Sequence, residues 1–144
     1  MKHMFLGAVC AATLGTASLA ADTVTYLFEG SFDDATFGVE SAIIDRGLVI
    51  DYVSHVGDML NRTGADVGSP VQIFDGADVY LFCSAVLSRK MMEVDAMNIA
   101  HCPYGVFVTE QNGEVSIGYR TMPEGEMQEV QSLLDEIARE AAGQ

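Results

Sequence analysis

Residues 104–120, YGVFVTEQNGEVSIGYR, decide the fold. Two alternating segments flank Asn112-Gly113, a pair that tolerates positive φ and closes tight antiparallel hairpins. A lone hairpin is marginal in water, and an alternating strand leaves one face in need of a cover. The rest of the chain must therefore supply further strands and helices to lie on them.

Reading toward the N-terminus, VQIF (71–74) and DVYLFC (78–83) flank the turn signal Asp75-Gly76 and predict two strand pieces or one hairpin. Ser84 is placed to cap a helix running to about Val94. TVTYLFE (23–29) alternates and suits a first strand. Ser31, with Asp34 three residues on, predicts a helix start. Phe32, Ala35, Val39, Ala42 and Ile43 carry its apolar spacing to a stop at Gly47. LVIDYVSHV (48–56) predicts a second strand, and 57–70 a short helix breaking into a loop. Beyond the hairpin, Pro123 suits the first turn of a helix to about Ala141, with Met127, Val130, Leu133, Leu134 and Ile137 as its apolar stripe. The order β-α-β-(α)-β-α-β-β-α predicts an α/β (α+β) domain, a mostly antiparallel sheet covered on one face by helices.

The first 20 residues have the pattern of a secretory signal: Lys2, an apolar run from Met4 to about Leu14, then Ser18 and Ala20 as small residues before a cut. The expected mature domain spans 21–144, lies in the periplasm or outside the cell, and lacks Cys10. No later segment approaches the roughly 20 apolar residues of a membrane helix. Without Lys2, six Lys and Arg face 21 Asp and Glu, a net charge of −15. That composition argues against nucleic acid and for a cation or a basic partner protein.

AHCPYG (100–105) sets His101 beside Cys102, and only Cys83 is left to answer it. In an oxidising compartment a disulfide is the ordinary outcome. Were the strand that ends at Cys83 and the strand that follows Cys102 parallel neighbours joined by a crossover helix, the sulfurs would sit at opposite sheet edges, too far apart for the roughly 7 Å Cα limit of a disulfide. Free thiols would then suggest a use. Cys83, Cys102, His55 and His101, with Met59 and Met97 nearby in type, form a soft ligand set for copper, zinc or haem. The spacing matches no C-x-x-C, C-x-x-C-H or H-E-x-x-H motif, and no G-x-S-x-G marks a hydrolase. On an extended strand, His55 would share a face with Val49, Asp51 and Val53. Arg89 and Glu93 are spaced to pair along a helix.

YLFCSAVLSRKMMEVDAMNIAHCPYGVFVTE followed by EVSIGYR, together with RGLVID and SHVGDMLNRTGADVG, resembles the domain-of-unknown-function 302 family, most closely its secreted proteobacterial members with two cysteines. The resemblance implies a small sandwich with a TATA-binding-protein-like layout, often dimeric, and brings no catalytic residues. The resulting expectation is a periplasmic binding or accessory module rather than an enzyme, with a soft metal or haem near Cys83 and Cys102 and a periplasmic redox partner. The alternatives are a thiol-redox protein using Cys102 and Cys83, and a structural dimer with a structural disulfide.

Overall fold

The computed structural model describes residues 23–144, so the expected leader lies outside the described residues. Five strands form one antiparallel sheet: β1 (Thr23–Phe28), β2 (Val49–Ser54), β3 (Gly76–Cys83), β4 (Tyr104–Gln111) and β5 (Glu114–Arg120). Their spatial order is β1-β5-β4-β3-β2. The helices are α1 (Phe32–Ile44), α2 (Val56–Thr63), α3 (Ala85–Val94) and α4 (Gln128–Ala141), with a 3-10 helix over Ala96–His101. The expected element order and the largely antiparallel sheet are both present.

The β4–β5 hairpin turns at Asn112 and Gly113, whose φ angles are +54° and +78°. Its register runs from Gln111↔Glu114 to Val106↔Tyr119. Along β3 and β4, Tyr80, Phe82, Tyr104, Val106 and Val108 are buried. They meet Val39 and Ile43 of α1 and Val130, Leu134 and Ile137 of α4 in one core. Helix α1 starts as its sequence suggests: the Ser31 hydroxyl accepts from the Asp34 amide at 3.1 Å and donates to the Asp34 carboxylate at 2.6 Å. Ser84 caps α3 by accepting from the Leu87 amide at 3.3 Å.

Four local expectations are corrected. Residues 71–74 form no strand, and β3 begins at Gly76. Gln111 and Asn112 instead tie this segment to the hairpin, through the Ile73 carbonyl and the Asp75 carboxylate. Pro123 does not open α4, which starts at Gln128 after a turn containing Gly125 at φ +95°. Glycine there breaks the backbone path into the helix. The strand 48–56 is shorter, and a bulge between Ile50 and Tyr52 inverts its later face. Ile50 and Val53 therefore both pack on the core, while His55 leaves the strand to precede α2. Met97, on the 3-10 helix, is exposed.

Candidate functional site: a thiol pair at the end of the sheet

Cys83 is the last residue of β3 and Cys102 the residue just before β4. Because β3 and β4 are antiparallel neighbours paired as far as Phe82↔Tyr104, the end of one meets the start of the other. The crossover arrangement that would separate the sulfurs does not occur. Continuing the register by one sets Cys83 across from Pro103, beside Cys102. The Cys102 thiol adjoins Cys83 closely enough to interact with it. Both are free and half-buried.

The surroundings favour the protonated form of Cys83. Burial pushes the Cys83 thiol up, and the adjoining Cys102 and the carboxylate of Asp51 push it further, against one backbone hydrogen bond at Tyr104 that favours the thiolate. Asp51 is the residue displaced by the β2 bulge. On the core side, the Ser88 hydroxyl is 3.6 Å from the Cys102 sulfur and donates to the Tyr104 hydroxyl at 3.3 Å. Burial raises Tyr104 to about 12, against the lowering effect of the Ser88 hydrogen bond and with a further push from Cys102. The Tyr104 ring meets Phe82 edge-on, with centroids 6.3 Å apart. Ser88 follows the cap residue Ser84 by one helical turn; that i, i+4 spacing is the sequence signal that would have brought it to the site.

The four candidate residues do not converge. His55 lies at the other end of β3, where its Nδ1 is 2.8 Å from a carboxylate oxygen of Asp78. Asp78 and Cys83 are five residues apart on one strand, roughly 17 Å at ~3.4 Å per residue. His55 thus acts as a hydrogen-bond partner of Asp78 at the α2 entrance. His101 ends the 3-10 helix and lines a separate cavity with Pro103 and Leu81. Among the described residues, no three His, Cys, Asp or Glu side chains gather as a metal cluster. Arg89 pairs with Glu93 at 2.5 Å and Lys90 with Glu129 at 2.5 Å, so the basic pair braces α3 and its neighbour. Among the described residues, no helix is long and apolar enough to cross a membrane.

No curated protein matches the chain. The crystal structure of a conserved DUF302 protein from Bacillus stearothermophilus is similar to it, with a TM-score of 0.62 and 15% sequence identity over 86% of this chain and 95% of that one. At that identity the likeness speaks for the fold alone. The family model for the domain of unknown function DUF302 matches residues 23–144, the whole of the folded domain, and the chain belongs to that family.

Proposed function

We propose that the protein is an exported accessory module whose working group is the Cys83–Cys102 pair, cycling between dithiol and disulfide. The observation that carries this reading is the contact of the two thiols at an accessible end of the sheet. The leader sequence supports an oxidising compartment. Since Cys83 is the sulfur that burial and Asp51 hold protonated, Cys102 is the first nucleophile. Its thiolate attacks one sulfur of a partner disulfide. That S–S bond breaks, one partner sulfur leaves with the electron pair and takes a proton, and a mixed disulfide forms on Cys102. Cys83 then loses its proton and attacks the Cys102 sulfur, expelling the second partner thiol. The pair has given up two electrons and two protons, and the partner disulfide has gained them. The acidic surface suits docking to a basic redox protein.

Oxidised glutathione tests the sequence of steps. Wild-type protein is expected to end as an intramolecular disulfide with no retained glutathione by intact mass. Cys83→Ser should retain one glutathione, on Cys102. Two free thiols persisting in the wild type, or no adduct on the variant, contradict the reading. Reduction also separates a working pair from a structural one. A structural clasp closing the 18 residues between the cysteines would lose about 2–4 kcal/mol on reduction, whereas a cycling pair leaves both forms folded.

The same contact favours one second reading, capture of Cu(I). Thiolates select this soft ion, and the pair lacks the fuller ligand set of a structural zinc site among the described residues. Competition with a Cu(I) chelator under reducing conditions checks it. One equivalent should transfer to the wild type and none to Cys102→Ser.

A further inference from the structure

We propose that the face of the sheet opposite α1 and α4 carries a binding site for a small apolar carboxylate, anchored by Arg120. This inference is independent of the thiol reading and uses neither sulfur. A cavity of about 300 Å³ lies where β5, β4 and β3 meet the 3-10 helix, at the small end of the roughly 300–1,000 Å³ that ligand pockets occupy.

The strand registers explain why the space exists. Thr23 pairs with Arg120, Gly105 with Leu81, and Leu81 with Tyr52. Extending Val106↔Tyr119 by one sets Arg120 opposite Gly105. A single row across the sheet therefore reads Thr23, Arg120, Gly105, Leu81, Tyr52, with no side chain at its centre. In the next row Phe107 leans across onto Gly118, where an added Cβ would lie only 2.6 Å from the ring. The one large ring near the gap is thus drawn over the neighbouring glycine. Ala100, His101 and Pro103 wall the opposite side.

The chemistry of the lining selects the ligand. Leu81, Val79, Phe107 and Pro103 present hydrocarbon. Arg120 and Arg62 form no salt bridge among the described residues, whereas Arg46, Arg89, Lys90 and Arg139 all do, and of the two only Arg120 lines this cavity. In a chain with 21 acidic side chains, an unpaired guanidinium bordering an apolar hollow is a fixed counter-charge for a carboxylate, which it can hold through two parallel N–H donors. His101 adds a ring N–H donor on the far wall. The general negative charge of the protein disfavours polyanions, so a ligand with one negative charge and an apolar body fits best.

Benzoate is the probe, with benzyl alcohol as its neutral counterpart, read by amide chemical shifts of the purified protein. Benzoate should give saturable shifts centred on Leu81, Gly105 and Phe107. Arg120→Gln should weaken benzoate about tenfold or more, the loss of a charge-assisted contact, while leaving benzyl alcohol within about twofold. Arg120→Lys should recover part of the benzoate affinity, and unchanged amide shifts of α1 and α4 in each variant report that it is folded. Shifts that do not saturate or lie elsewhere on the surface overturn the proposal. So does a folded Arg120→Gln protein that binds benzoate as well as wild type.

Discussion

Replacing Phe82 by alanine is expected to destabilise the protein by about 3–5 kcal/mol, the range for removing a buried aromatic ring. Phe82 is fully buried between strands β2 and β4, paired with Ile50 on one side and Tyr104 on the other. Its ring supplies the edge-on contact to Tyr104, so the cavity left by alanine removes one wall of that tyrosine. Tyr104 in turn receives the Ser88 hydrogen bond next to Cys102. The loss should therefore appear in two measurements. Chemical denaturation should give the lower unfolding free energy, and the melting temperature should fall by roughly 10–20 °C, at several degrees per kcal/mol for a domain of this size. In the protein that remains folded, oxidation of Cys83 with Cys102 should slow, because Phe82 immediately precedes Cys83 and sets the end of β3. A stability change under ~1 kcal/mol would mean that the ring is not the core element its burial indicates.

The same pair of residues shows what the sequence could reveal. The strands were legible because alternation and the Asn112-Gly113 turn are local signals, and local signals carry their own register. The helix caps at Ser31 and Ser84 were legible for the same reason. Three residues of β2 were not: the bulge adds one position, and a face assignment by simple alternation is wrong from Tyr52 to Ser54. The site divided along the same line. That Cys83 and Cys102 meet depends on which strands are neighbours, a long-range property that the spacing of the two cysteines does not contain. Once β3 and β4 are antiparallel neighbours, contact follows from their adjoining ends. His55 joined the candidates through residue type alone, and its place at the far end of β3 follows from the antiparallel β2–β3 pairing. Ser88 and Tyr104 were passed over because neither has a distinctive motif; their importance arises only when α3 packs beside the start of β4. The Arg120 hollow was similarly invisible, since it is made by bare Gly105 in the middle of a row drawn from four other strands.

The second large effect is expected at Asp135, where Asp135→Asn should cost about 1–3 kcal/mol near neutral pH, the range for leaving partly buried polar partners unsatisfied. Asp135 lies on α4 and accepts hydrogen bonds from the hydroxyls of Tyr26 on β1 and Tyr119 on β5, the latter at 2.7 Å. Arg139, one turn along the helix, donates to its other oxygen at 2.8 Å. This carboxylate therefore ties the last helix to two adjacent strands at the edge of the sheet. Burial alone would raise its pKa. The hydrogen bonds from Tyr26, Arg139 and Tyr119 outweigh that effect and hold it below the ordinary carboxylate value. A depressed carboxylate contributes stability that is fully present above its unfolded pKa of about 4 and is lost as pH falls through the folded value. The gap between wild type and Asp135→Asn should accordingly be largest from about pH 5 upward and shrink in acid. Tyr26 and Tyr119 are both pushed up, first by burial and then by Asp135. Their contribution is present below about pH 10 and is lost as pH rises through their folded values. Asparagine, which is neutral, should lessen that alkaline loss as well. Urea midpoints measured from pH 3 to pH 12 on both proteins check all three parts. A gap independent of pH would show that the carboxylate acts through shape rather than through its charge and its three donors.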